Sequence, residues 1–557
     1  MAQERRKTAE EMGEMQRDIS ISEFFAKNRH LLGFDNKRKA LLTTIKEAVD
    51  NSLDACEEAG ILPEIAVEII DMGNERFRVI IEDNGPGIVK KQIPSIFAKL
   101  LYGSKFHKLS QSRGQQGIGI SASVMYSQLT TGRPAKITSK TSPELSAHYY
   151  ELQIDLQKNK PEIIVDDEID WPKNHGTRIE LDLEASYMKG SQSVDEYLKQ
   201  TAITNPHITL IYTNPKAEQI IFARASEKMP PESKEIKPHP YGVELGIMQK
   251  MLKWSEAKTL QSFLMSEFSR VGNGTAKQIC ENAHLLPKTK PKKVTRDMIE
   301  QLINGIKATK IISPPTDCIS PIGEKLLQRG LKKEINAEFY AAVTRPPSVY
   351  RGNPFQIEVA MAYGGQQSSE GPITVMRFAN RVPLQYQQGA CGVSKAITQT
   401  AWRNYGLSQS NGSFPQGPVT VVIHIASVWV PFTSESKEAI AHYPEILKEM
   451  RLALQECGRK LGSYINKKKT VGKELQKRSY IEKYLPHVVD GLGAILSLTK
   501  IDKERAKENL KILLEKTRGK LDEMKFDPNK NEEFDQKFAS IGKEEKIDDE
   551  SEGDDDE

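Results

Sequence analysis

Residues 38–58 constrain this chain most. Leu42, Ile45, Val49, Leu53 and Cys56 recur at spacings of three and four, the period of an amphipathic helix with one core stripe. Glu47 lies two positions from both Ile45 and Val49 and so faces away from that stripe. Asn51, four residues on, and Asp54, three further, share its face. Asp35 or Asn36 suits the start as a cap, and Gly60 suits the exit. An acid and an amide one turn apart, away from the core, are placed to hold a metal ion and activate a water. Taken alone, Glu-x-x-x-Asn is more often a solvated polar face, so its meaning depends on its company in the chain.

Three further stretches supply that context. The strand-like run 77–82 ends in Asp83-Asn84-Gly85-Pro86-Gly87, where a carboxylate accepts a hydrogen bond from an exocyclic amine and glycines admit a flat ligand closely. Then Arg113-Gly114-Gln115-Gln116-Gly117-Ile118-Gly119-Ile120 leads into a helix. Its glycines aim successive N–H groups at an anion, which a helix N-terminus also favours. The spacing is neither that of a Walker loop nor that of the dinucleotide fingerprint. Last, Gly176-Thr177-Arg178 opens another strand.

These motifs, in this order, resemble the GHKL ATPase superfamily of gyrase-type topoisomerases, heat-shock chaperones, mismatch-repair clamps and sensor kinases. The resemblance implies roles. Glu47 is the general base for the attacking water, Asn51 coordinates magnesium, and Asp83 reads adenine beside Gly87. Arg113, Gly114, Gln115, Gln116, Gly117, Ile118, Gly119 and Ile120 form a lid over the phosphates, and Thr177 supports the adenine pocket. Ser104 and Lys105 match a further nucleotide-contacting pair. ATP and magnesium are the implied cofactors.

Length and composition bound the rest. A chain of 557 residues, 38% hydrophobic and 28% charged, suits several globular domains. No run approaches the ~18 apolar residues of a membrane span, and the first 18 residues are charged, so a cytoplasmic, nucleoid-associated protein is expected. Five scattered cysteines and ten histidines form no ligand-like cluster, which argues against a disulfide framework or zinc site. Residues 543–557 carry ten acids and two lysines, which leaves +12 on the other 542 residues. The tail reads as disordered, and the basic body is compatible with nucleic acid.

Along the chain, residues 1–20 read as an arm. The resemblance has this arm cross to a partner subunit. Residues 21–228 read as the ATPase domain, with strands at 65–70, 76–82, 148–156, 177–183, 208–212 and 219–223. A proline-rich boundary opens 229–312, where helices at 260–269 and 275–282 flank a Gly-rich turn and precede Lys288 to Lys293. This resembles a helix–two-turn–helix module, a type that often touches DNA backbones, with a basic linker after a helical hairpin as the alternative. Here Lys290, Lys292 and Lys293 are candidate phosphate contacts. A small α/β domain comes next at 313–470, with strands at 355–361, 373–378 and 419–428 and helices at 394–404 and from 444 to about 460. It resembles the ribosomal-protein-like βαβ transducer of type II topoisomerases. Lys437, otherwise one more loop lysine, then matches the switch lysine that reaches the γ-phosphate. Trp402-Arg403-Asn404-Tyr405 resembles a Trp-Lys-x-Tyr motif and makes Arg403 a DNA candidate, although Trp402 and Tyr405 equally suit a core. Residues 471–525 read as helical, with an apolar stretch at 484–498 that suits a partner surface, and 526–557 as the acidic tail.

The whole is an α/β (α+β) chain in which a GHKL sandwich, a helical insert, a transducer and a helical tail succeed one another. That order resembles the B subunits of type IIB DNA topoisomerases. The resemblance implies an ATP-hydrolysing clamp that dimerises on ATP and passes double-stranded DNA through a break made by a tyrosine-bearing A subunit, in a heterotetramer of two A and two B subunits. A mismatch-repair or chaperone-type clamp is the alternative. A sensor kinase lacks support, because no membrane segment or dimerising His helix precedes the motifs.

Overall fold

The computed structural model describes residues 8–14, 16, 18–103, 108–114, 117–434 and 436–518. The N-terminal domain is a sheet of eight strands: β1 (Glu64–Asp71), β2 (Arg76–Asp83), β3 (Ala135–Lys140), β4 (Ala147–Asp155), β5 (Lys160–Ile169), β6 (Gly176–Glu184), β7 (Thr209–Thr213) and β8 (Gln219–Phe222). Their order is β5-β4-β3-β6-β2-β1-β7-β8. Every neighbouring pair is antiparallel except β1 with β7. The helices are α1 (Ala9–Glu14), α2 (Ile21–Lys27), α3 (Lys37–Glu58), α4 (Ile93–Ala98), α5 (Gly119–Thr131) and α6 (Val194–Thr204).

The expected stripe of α3, Leu42 to Cys56, is buried in full. Burying each such side chain stabilises the fold by about 1.5–3 kcal/mol. Asn36 caps the helix, its Oδ1 accepting from the Lys39 amide at 2.8 Å. More of α3 is buried than one stripe, because α5 and α6 cover flanks that the spacing left to solvent. Of the arm, residues 1–7 lie outside the described residues. Residues 20–27 dock on their own chain: Ser20 Oγ caps α2 and donates to the Leu156 carbonyl at 2.7 Å.

Next come four helices with a core of their own, α7 (Leu245–Trp254), α8 (Leu260–Glu267), α9 (Asn273–Asn282) and α10 (Arg296–Ala308). The sequence reading found the middle two.

The C-terminal domain begins with α11 (Glu324–Glu334). It continues with β9 (Phe339–Thr344), β10 (Ser348–Tyr350), β11 (Asn353–Tyr363), β12 (Thr374–Ala379), β13 (Val382–Pro383), α12 (Gly392–Thr398) and β14 (Val419–Ser427). The sheet runs β10-β11-β14-β12-β13, with β9 also on β11, and β14 is buried along its length. The helix read at 394–404 is in fact α12 followed by a short 3-10 turn at Trp402–Tyr405. One sheet face packs on α12 and the long helix after β14, and the other on α11. Against α11 lies Ile203 of α6, and a Cβ at Gly330 would collide with the Ile203 carbonyl, so the two domains meet backbone to helix.

The long helix is α13 (Pro444–Leu496), 53 residues, and α14 (Lys500–Arg518) folds back on it. The boundary expected near residue 470 therefore falls inside a continuous helix. Residues 519–557, including the acidic tail, lie outside the described residues.

Candidate functional site

One cavity of about 500 Å³ opens between α3, α5, the end of β2 and a loop of the C-terminal domain. That volume lies within the ~300–1,000 Å³ usual for small-molecule sites. Of the residues singled out from sequence, Glu47, Asn51, Asp83, Gly87, Gly114, Gly117, Ile118, Gly119, Ile120, Thr177 and Lys437 all line it. Ser104, Lys105, Gln115 and Gln116 lie outside the described residues.

At the cavity floor Asp83 is buried and held from three sides. Ser52 Oγ donates to its Oδ2 at 2.7 Å, while the Gly85 and Thr177 amides donate to Oδ1 at 2.9 and 3.1 Å. Burial raises its pKa against these donors. The carboxylate keeps lone pairs for one more donor, which suits an amine on a flat ring. Gly87 has a positive φ of 69°, and a Cβ there would collide with the Lys140 carbonyl, so only glycine fits. Thr177 Oγ1 lies 3.1 Å from Ser139 Oγ, which also accepts from the Ile88 amide, tying this wall of the cavity together.

At the other end Glu47 faces Gly119 and Asn51 faces Gly114. A Cβ on Gly119 would overlap the Glu47 carboxylate, and one on Gly114 would come within 3.5 Å of Asn51 Oδ1. Glycine at these positions leaves space for a ligand beside the acid and the amide. Among the described residues no side chain caps α5, whose N-terminus lines the cavity, a position that favours an anion. Asn51 offers a hard oxygen of the kind magnesium takes, with phosphates and water completing its shell. Among the described residues no cluster of three or more His, Cys, Asp or Glu could hold a metal by itself. The residues therefore fit a metal carried in by a phosphate ligand. Behind Glu47, Asp50 is buried and accepts from Tyr197 Oη at 3.1 Å, and burial pushes its pKa up to about 7.

Lys437 enters from the C-terminal domain with a left-handed φ of 54°. Burial lowers its pKa, opposed by the charge of Glu47. Its neighbour Glu438 pairs with Lys39 of α3, whose ammonium also sits 5.2 Å from the Tyr386 ring centroid. The sequence reading missed Lys39, Ser52 and Tyr197, and also Leu384 and Tyr386, which wall the cavity from beyond β13. Ser52 is adjacent to Asn51 and was findable; Tyr386 carries no local signal.

Arg113 is placed otherwise than expected. Its guanidinium turns away from the cavity and donates to Asp54 Oδ1 at 2.7 Å, to both Glu57 oxygens at 2.7 and 2.9 Å, and to Asn205 Oδ1 at 2.6 Å. It anchors the segment 112–114 to α3 and does not line the cavity. Asp54, read on the Glu47 face, is taken up by this contact.

The remaining candidates lie elsewhere. Lys290, Lys292 and Lys293 are exposed around a short turn seated on buried Pro291. Arg403 is exposed, with its Nε donating to the Gln409 carbonyl at 2.7 Å. Trp402 is a core residue, its Nε1 donating to the Ile397 carbonyl at 2.8 Å, and the Tyr405 ring fills the space beside Gly458 of α13. All five cysteines are buried and free. No described helix is long and apolar enough to cross a membrane.

Comparison with known proteins agrees with this geometry. Residues 36–185 match the model of the histidine kinase-, DNA gyrase B- and HSP90-like ATPases, and residues 314–478 that of the topoisomerase VI B subunit transducer. The chain is 53% identical over 489 residues to the B subunit of type 2 DNA topoisomerase 6 from Methanococcoides burtonii, covering 88% of this chain and 79% of that one. It is 46% identical over 490 residues to that of Archaeoglobus fulgidus, covering 88% and 81%. To that of Pyrococcus horikoshii it is 39% identical over 522 residues, covering 85% and 91%. The chain belongs to the family of type 2 DNA topoisomerase 6 B subunits.

Proposed function

We propose that this chain is the ATP-hydrolysing B subunit of a type IIB DNA topoisomerase, an ATP-driven clamp that governs passage of one duplex through a break in another. The observation that carries the reading is a single cavity to which four sequence motifs of one domain and a lysine of another all contribute. Nucleotide binding, a DNA substrate, self-association and an A-subunit partner follow from family membership. The finer assignments are our own.

Asp83 accepts the exocyclic amine of adenine, and Thr177 and Ser52 hold its carboxylate for that bond. The glycines from Gly114 to Gly119, with the N-terminus of α5, hold the phosphates through backbone amides. Glu47 takes the proton of the attacking water. Lys437 faces the charge that builds on the γ-phosphate, in a dry cleft where such a charge counts for more than in water. Asn51 would hold magnesium, which when bound neutralises phosphate charge.

We assign Lys290, Lys292, Lys293 and Arg403 to DNA phosphates, the lid and arm to closure between two copies, and a complex of two A and two B subunits. We also place the protein in the cytoplasm with the nucleoid. On α13, Tyr484 and Ile495 are 63% and 80% exposed, while Leu485 and Val489 are buried. Such an exposed apolar face supports docking of the A subunit there. The test is co-purification with a tyrosine-bearing A subunit followed by supercoil relaxation with and without ATP. Relaxation only with both subunits and ATP is expected; ATP-independent relaxation would refute the clamp.

A further inference from the structure

We propose that Arg381 of the C-terminal domain is a positioning residue for ATP hydrolysis, setting the phosphate lid through a buried charge cluster with Glu57 and Arg113. The proposal rests on the reading of 113–120 as the lid.

Four segments distant in sequence meet at this cluster. The end of α3 gives Asp54 and Glu57, and the lid gives Arg113. The segment after α6 gives Asn205 and His207, and the turn between β12 and β13 gives Asn380 and Arg381. Arg113 spans Asp54, Glu57 and Asn205 with four hydrogen bonds of 2.6–2.9 Å. His207 Nε2 lies 2.8 Å from Glu57 Oε1, and Arg381 brings its guanidinium to 3.9 Å from the same oxygen. Burial, opposed by the Glu57 contact, lowers the His207 pKa. Two carboxylates then face two guanidiniums. Both arginines and Asp54 are buried, so removing one member strands a charge. Arg381 is also held from its own domain by donating to the Ser320 carbonyl and Oγ at 3.2 Å and the Pro321 carbonyl at 3.3 Å.

Each end of the cluster is tied to a different machine. On the lid side Arg113 precedes Gly114, whose Cβ position is 3.5 Å from Asn51 Oδ1. On the other side the Asn380-Arg381 turn has φ of 48° and 69°, the left-handed pair that a two-residue hairpin between β12 and β13 uses. Asn380 Nδ2 donates to the carbonyl of Ser112, the residue before Arg113, at 3.0 Å and to the Ser427 carbonyl of β14 at 2.9 Å. The Arg381 amide donates to His424 Nε2 at 2.9 Å, and His424 Nδ1 lies 2.8 Å from Glu358 Oε2 in the sheet core. A shift of the C-terminal domain therefore carries this turn, and the lid with it. Lys437 belongs to the same domain, so lid closure and lysine entry are coupled.

The experiment compares Arg381→Met and Arg381→Lys with the unaltered full-length chain. Hydrolysis kcat should fall about tenfold or more in Arg381→Met. ADP affinity should stay within about twofold, because ADP lacks the phosphate that closure embraces. Arg381→Lys keeps the charge without the fork and should recover part of the loss. Unchanged kcat in Arg381→Met overturns the proposal, as does a loss that lysine does not relieve. If Arg381→Met fails to fold, hydrogen exchange on the unaltered chain decides. With a non-hydrolysable ATP analogue, amides of 109–114 and of 380–381 should gain protection together; protection of the first alone overturns the proposal. An unaltered chain without ATP hydrolysis would instead remove the ATPase reading underneath.

Discussion

Helices α3 and α13 break the same rule in opposite directions. In α3 the polar residues sit where packing would favour apolar ones: Asp50, Ser52 and Asp54 are buried, and each has a partner inside the domain. In the last third of α13 apolar residues sit where water would favour polar ones, with Tyr484, Val488, Ile495 and Leu496 all more than half exposed. Buried polar groups cost stability unless paired, so α3 keeps them for chemistry and satisfies them internally. Exposed apolar groups cost solubility unless covered, which is why we propose that the A subunit covers this face of α13. The buried polar groups of α3 are satisfied within one polypeptide, whereas the apolar face of α13 stays exposed on it.

The strongest break of this contrast is at Glu47. Glu47→Gln keeps the shape of α3, so calorimetry should show nucleotide binding retained while hydrolysis falls by ~10²-fold or more. Asp83→Asn sharpens the point. An amide can keep the Gly85, Thr177 and Ser52 bonds but presents a donor to the adenine amine, and ATP affinity should drop by about 2 kcal/mol, roughly thirtyfold. Because burial raises the Asp83 pKa, its ionised form costs stability above that pKa, and the amide removes this cost. Thermal melting at neutral pH should therefore be no lower than that of the unaltered chain.

On α13 the expectation reverses. Val488→Glu with Ile495→Glu changes exposed positions, so melting should move by no more than ~0.5 kcal/mol equivalent while capture of the A subunit weakens about thirtyfold or more. The smallest effect belongs to the helical domain. Replacing Lys290, Lys292 and Lys293 with alanine should flatten the slope of log affinity against log salt by about two to three units, alike for all DNA sequences.

Legibility in the sequence divides along the same line. The stripe of α3, the Asp83 turn and the glycines before α5 are encoded in neighbours a few residues apart, and they could be read. Arg113 could not, because its partners Glu57 and Asn205 are 56 and 92 residues away and no local pattern reports them. Tyr386 and Leu384 reach the cavity only because the two domains pack together. β5 was missed because it is a charged, largely exposed edge strand without alternation. The helix starting at 444 is expected from sequence to end near 460, before the lysine run 467–469. Exposed lysines are good helix formers, and α13 runs straight through them.

The central claim is that ATP completes the site by bringing two copies together. Light scattering on the full-length chain with a non-hydrolysable ATP analogue tests it most directly. A mass near twice the 62.6 kDa of one chain is predicted with the analogue, and a lower mass without it. The same mass in both conditions, with the nucleotide shown to be bound, would contradict the account.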